Sequence, residues 1–191
     1  MKPKIPLREI KRKAIHVLFG IVFLLLIAIT GTRTSLEIIF ACLVIGVIVS
    51  FLIKKGFSFG FIGKIVEKVE RENEKNFPGK AAVYFFASAI ILLGIFPNEP
   101  TLVLACLSVQ IFADASAAII GMTFGKHKLY KKKTWEGSTA CLIVATICLA
   151  FFYPLPTAII GAIVATLVEV LPLDDNLWVP IITAATLKAL I

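Results

Sequence analysis

The sequence predicts an all-α integral membrane protein with about seven transmembrane helices, and three observations carry that expectation. The chain of 191 residues is 59% hydrophobic and only 17% charged, with a mean hydropathy of +0.94. A soluble domain of this length could not hide so much apolar surface, whereas a bundle of membrane helices requires it. Seven apolar runs are long enough, or nearly so, to cross a bilayer, at roughly 14–30, 35–53, 81–96, 101–121, 138–153, 155–171 and 177–191. Finally, all but Arg33 and Lys188 of the 20 Lys and Arg residues fall on segments that alternate with these runs so as to share one side, the pattern expected of cytoplasmic segments.

The first run follows a basic tail, Lys2 to Lys13, as a signal peptide would. It lacks a convincing cleavage site and reads as a retained span, which puts the N-terminus in the cytoplasm. Gly31–Thr34 is a tight external connection to the second run. Between the second and third runs, Phe57–Asn76 reads as an amphipathic helix at the interface or in the cytoplasm, part of a segment 54–80. Ile62, Ile65, Val66 and Val69 line one face, and Lys64, Glu67, Lys68, Glu70, Arg71 and Glu72 the other. Pro97–Pro100 joins the third run to the fourth, and a basic cytoplasmic loop, 122–137, leads to the fifth. Tyr153–Pro156 turns the fifth run into the sixth, and an acidic stretch precedes the seventh. The third and seventh runs are marginal in length, so six spans with a re-entrant piece is the alternative. Trp135 and Trp178 fall at the inner interface, where indoles prefer to sit. No repeat or linker divides the chain, which reads as one polytopic domain, 1–191, of the cell membrane.

The net charge of +8 reads as topology and attraction to anionic headgroups and phosphates, with no nucleic-acid partner. Cys42, Cys106, Cys141 and Cys148 lie within apolar runs without CxxC spacing and read as small core residues.

Four stretches carry chemistry. Asp114 lies in a run otherwise apolar or small apart from Gln110. A carboxylate at mid-membrane costs about 2.5–3.5 kcal/mol, so one retained there is a functional candidate; the ordinary reading is an internal salt bridge with a lysine. Ala117, Ala118, Gly121 and Gly125 give it a smooth neighbouring surface. Gly125–Gly137 combines five lysines with two glycines and Thr134 just before a helix, a phosphate cradle in composition; a basic inner loop is also what orientation alone demands. Glu169, Asp174, Asp175 and Asn176 supply oxygen donors suited to magnesium, or else a helix cap and an ion pair. A lysine loop facing acids meets the needs of phosphoryl transfer. Lys11, Arg12, Lys13 and His16 at the entry to the first span could hold a phosphate or lipid headgroup, although the positive-inside rule alone explains the lysines.

The order of these residues resembles a family. Asp114-x-x-Ala117-x-x-x-Gly121-x-x-x-Gly125-Lys126-His127-Lys128, followed by Lys132-Lys133-Thr134-Trp135-Glu136-Gly137-Ser138, is similar to the CTP-dependent lipid transferase superfamily. That group includes phosphatidate cytidylyltransferases and the CTP-dependent polyprenol, dolichol, phytol and diacylglycerol kinases. Arg71-Glu72-x-Glu74, Pro78-Gly79-Lys80-Ala81 and Glu169 followed by Asp174-Asp175-Asn176-x-x-x-Pro180 look more like the kinase branch. The long closing signature of the cytidylyltransferases is missing, whereas Lys133-Thr134-Trp135-Glu136-Gly137 is closer to their wording.

The resemblance implies a CTP-dependent kinase of a membrane lipid alcohol, with Mg2+ as cofactor and CTP as co-substrate. It assigns catalytic work to Asp114, Glu136, Glu169 and Asp175, with Glu169 or Glu72 accepting a proton. Nucleotide binding falls to Lys80, Lys126, His127, Lys128, Lys132, Lys133, Thr134, Gly137 and Asn176; metal binding to Asp114, Asp174 and Asp175; lipid or phosphate binding to Arg12, His16 and Glu72. A homodimer is also implied by resemblance alone. Two other readings stand beside it: a cytidylyltransferase making a CDP-lipid from a lipid phosphate, and a small transporter or non-catalytic lipid-binding protein in which Asp114 and Glu169 serve an ion path.

Overall fold

In the computed structural model, residues 7–55, 57, 79–131 and 133–191 are described. Apart from Phe57, the predicted amphipathic helix, with Arg71 and Glu72, lies outside the described residues, as does Lys132.

Every one of the seven apolar runs lies on a helix. The first two share α1 (Leu7–Lys54), which breaks at Gly31, where φ of +77° is a conformation open mainly to glycine. The third is α2 (Lys80–Ile95). The fourth is α3 (Pro100–Phe124), which starts with proline in its first turn and contains a π-helical turn, Val109–Ala113. The remaining three are α4 (Trp135–Ala150), α5 (Leu155–Val170) and α6 (Asp175–Leu190). Among the described residues, only α1 and α3 are long and apolar enough to cross a membrane by length and composition. The other four have 16 residues each, roughly 24 Å at about 1.5 Å per residue and short of a hydrocarbon core of about 30 Å.

The basic loop departs from the all-α expectation. Residues Lys128–Tyr130 (β1) and Lys133–Thr134 (β2) pair as a short antiparallel hairpin, Lys128 opposite Thr134 and Tyr130 opposite Lys133. Its tip passes through Lys131 at φ +48°. Lysine-rich composition hid the strands, because alternating burial in three residues leaves no legible period.

The interior is rich in small residues, among them Ala89, Ala105, Ala145, Ala158, Ala162, Ala165 and Ala184, all at 1% exposure or less. Alongside buried Ile27, Ile39, Leu92 and Leu107, many large apolar side chains point outward: Phe19, Leu25, Ile29, Phe40, Ile45 and Phe51 on α1, and Ile143, Ile147, Phe151 and Leu167 further on, are all exposed. Small residues let the helices approach closely, and the outward bulky residues give the bundle an apolar surface. α4 packs between α3 and α5, α6 between α5 and α2, and α1 lies along α2 and α3. The most apolar stretch of α1 is only 11% buried against 61% for α3, so α3 is the central helix.

The two ends differ in kind. At one end, Lys188 on α6 meets Glu99 beside α3 at 2.7 Å, and Thr32 donates to the Pro97 carbonyl. The other end gathers the chemistry.

Candidate functional site

Local geometry brings the hairpin down on the bundle. Thr134 caps α4, its Oγ1 accepting the Gly137 N–H at 3.2 Å. Gly137 lets α4 approach α3 at backbone distance: a Cβ there would stand 2.8 Å from the Ala117 carbonyl oxygen and 3.2 Å from Gly121 Cα. On the far side of α3, a Cβ on Gly20 would meet Ile111 at 2.6 Å. These small residues draw α1, α3 and α4 together around Asp114.

At this end, lysines and carboxylates from distant segments pair. Lys13 on α1 is buried against the Asp114 carboxylate, and His16 Nε2 lies 3.8 Å from the same Oδ2. Lys133 on β2 reaches Glu169 at the end of α5 and lies 3.4 Å from Asp175 in the first turn of α6. Burial alone would push the Lys133 ammonium down, but the Asp175 and Glu169 carboxylates outweigh it and hold the group above the ordinary lysine value. Lys80 at the start of α2 lies 3.3 Å from Asp174, a more exposed pair. Gln110, from the π-helical turn, donates to Asn176 Oδ1 at 2.7 Å. Among the described residues, four buried polar atoms at this end have no hydrogen-bond partner: His16 Nε2, Gln110 Oε1, Ser138 Oγ and Glu169 Oε2.

The other expected residues fall differently. Lys126, His127 and Lys128 are exposed on the hairpin. His127 Nδ1 bonds Glu136 Oε1 at 2.8 Å, and the His127 backbone N–H donates to the same carboxylate. Backbone N–H groups, its own first, and His127 hold the Glu136 carboxyl down at about 2. Arg12 turns to Glu9 on its own helix, at 2.8 Å, away from Asp114. Asp114, Asp174 and Asp175 do not form one cluster, since each is engaged by a different lysine; among the described residues no three His, Cys, Asp or Glu side chains form a metal-holding group.

Comparison with known proteins gives this arrangement a context. The profile of the cytidylyltransferase family matches residues 4–182. The chain belongs to the cytidylyltransferase family. Among curated relatives of this family member, an uncharacterized protein of Methanocaldococcus jannaschii is 32% identical, over 93% of this chain and 92% of its own. A probable chloroplastic phytol kinase of Triticum aestivum is 28% identical over 92% of this chain and 65% of its own length, so the chain spans about two thirds of that relative. A CTP-dependent diacylglycerol kinase of Schizosaccharomyces pombe is 27% identical over 94% of this chain and 92% of its own. No solved structure matches this family member.

The sequence groups Lys13 with a candidate phosphate or headgroup site without announcing its pairing to Asp114, and leaves Gln110 as a stray polar residue. The signal for each was positional: Lys13 lies close to His16 on the same helix, and Gln110 lies one turn before Asp114.

Proposed function

We propose that this chain is a CTP-dependent kinase of a membrane lipid alcohol, working at the cytoplasmic face of a bundle of about seven spans. The observation that carries this reading is the meeting of Lys133, Glu169 and Asp175 beside the Lys13–Asp114 pair, in a chain whose relatives include a CTP-dependent diacylglycerol kinase and phytol kinases. The outward-facing bulky residues of α1 and α4 support immersion in lipid, and the collection of lysines and acids at one end supports a single aqueous face.

In the resting arrangement each carboxylate of the site holds a lysine. A triphosphate offers the lysines stronger anionic partners, so Lys133, with Lys126 and Lys128 on the exposed hairpin, turns to phosphate oxygens and Glu169 is released. The lipid hydroxyl then attacks the γ-phosphorus. Its O–P bond forms as the bond from the γ-phosphorus to the bridging oxygen breaks, CDP leaves, and the proton passes to Glu169, whose buried Oε2 has no other partner. Ala117, Gly121 and Gly137 let α3 and α4 meet at backbone distance.

The donors fit magnesium, which takes hard oxygens and needs only one or two carboxylates beside phosphate oxygens and water. Asp175, beside Lys133, would hold it, with Asp114 the neighbouring carboxylate, which leaves Glu169 to accept the proton. The ion would supply neutralisation of phosphate charge.

The cytidylyltransferase alternative, in which a lipid phosphate attacks the α-phosphorus and pyrophosphate leaves, is favoured by the family's description. CTP labelled separately at the α and γ positions separates the two. γ-Label in the lipid is the expected result; α-label would assign the chain to the alternative, and no label in any lipid alcohol or phosphate would end both.

A further inference from the structure

We propose that Gln110 is a positioning residue of the nucleotide site, holding the Asn176 side chain so that its amino group is the part offered to an anionic ligand. The inference rests on the nucleotide-site reading above. Gln110 is the one polar side chain of the π-helical turn Val109–Ala113, a kind of turn found mostly at functional sites. It is wholly buried, where an amide is unfavourable unless bonded. Its Nε2 donates to Asn176 Oδ1 at 2.7 Å, tying the centre of α3 to the first turn of α6. Its Oε1 is buried without a partner.

The direction of that bond matters. With Oδ1 engaged, the Asn176 Nδ2 amino group is what remains for other partners. The reversed pairing, with Gln110 Oε1 accepting from Asn176, would leave a buried Gln110 amino group unpaired, which is rarer and costlier than an under-satisfied carbonyl. It would also free an acceptor oxygen at Asn176, beside Asp175, whose carboxylate already accepts the Asn176 backbone N–H at 3.0 Å. Donor-outward is therefore the favoured state, and it suits phosphate oxygens arriving at Lys133, which lies 3.4 Å from Asp175. Simple adhesion between α3 and α6 explains the bond but not the choice of an amide whose second atom stays unpaired.

The test compares wild type, Q110M and Q110E in lipid nanodiscs, using γ-labelled CTP and a saturating lipid alcohol. Q110M keeps the unbranched volume and removes the donor. We expect it to raise the KM for CTP about tenfold, the equivalent of one lost hydrogen bond, with the KM for the alcohol and the melting temperature close to wild type. In Q110E the neutral acid still donates to Asn176 but the carboxylate only accepts. Its KM for CTP, taken as a ratio to wild type, should rise with pH while the Q110M ratio stays flat. Asp114, His16 and Lys13 on α3 and α1, with Lys133, Glu169 and Asp175, are present in all three proteins, and Q110M is the control for them. Wild-type KM for CTP in both variants at every pH, or a lowered melting temperature with KM intact, would overturn the proposal. Should Q110M fail to assemble, the pH dependence of Q110E decides alone. Absence of label transfer by wild type would overturn the kinase reading and this inference with it; transfer by wild type with unaltered variants removes this inference only.

Discussion

Lys13 and Asp114, 101 positions apart, form a buried ion pair between the first turns of α1 and the middle of α3. A charge left there loses its buried counter-ion, with His16 Nε2 the remaining neighbour of Asp114 at 3.8 Å. Breaking such a pair by removing one member costs about 3–5 kcal/mol. We expect K13M to lower the melting temperature sharply and D114N somewhat less, because asparagine can still accept from Lys13. The double variant should recover much of the stability lost in K13M while remaining inactive in lipid labelling. Full activity in D114N would remove Asp114 from the mechanism.

Gly137 and its neighbours make a second expectation. A methyl at Gly137 would meet the Ala117 carbonyl at 2.8 Å, which is backbone and cannot swing aside. Overpacking of this kind costs about 1–3 kcal/mol, and here it would also lift the hairpin that carries Lys133. G137A should therefore lose activity beyond its effect on stability. G46A and G94A, where an added Cβ meets nothing within 4 Å, should be silent in both thermal melts and turnover.

What could be read in the sequence and what could not divide along physical lines. Asp114 and the Glu169–Asn176 stretch stood out because a carboxylate in or beside an apolar run is unfavourable unless partnered, and Asp114 and Glu169 each take a lysine in the structure. The seven apolar runs were legible for the same reason, and each lies on a helix. Pairings were not legible. Lys13 looks like every other inner-face lysine until α1 is packed on α3, and the four-residue frame that makes Gln110 face α6 is altered by a π-helical turn that no residue pattern announces. The division of the expected metal set, with Asp174 going to Lys80 and Asp175 to Lys133, depends on which way one turn of backbone sends two adjacent side chains.

The His127–Glu136 contact gives a pH dependence of known sign. The Glu136 carboxyl is held at about 2 from an ordinary value of 4.5. Its contribution to the hairpin is thus complete above about pH 4.5 and lost as pH falls through about 2. Trp135 is exposed beside it and reports on the hairpin. In a W178F background, Trp135 emission should shift on acidification through that window, and E136Q should abolish the shift. A shift that persists in E136Q would assign it to another group.

Asp174, Asp175 and Glu169 are neighbours in sequence or function but differ in setting, and that difference ranks them. The Lys80–Asp174 pair is exposed, its side chains 37% and 47% accessible, and pairs of that kind contribute about 0–1 kcal/mol. Glu169 is 4% exposed and shares Lys133 with Asp175, so a change there unbalances three groups at once. We expect D174N to keep its melting temperature and most of its turnover. E169Q should lose roughly 100-fold or more in turnover, as fits removal of a general base, while D175N should chiefly weaken the dependence on magnesium. The measurement is γ-label transfer at saturating CTP across a magnesium titration. If D174N proved as damaging as E169Q, the exposed Lys80–Asp174 pair would belong to the reacting centre, and the division of labour drawn from Lys133 would have to be reversed.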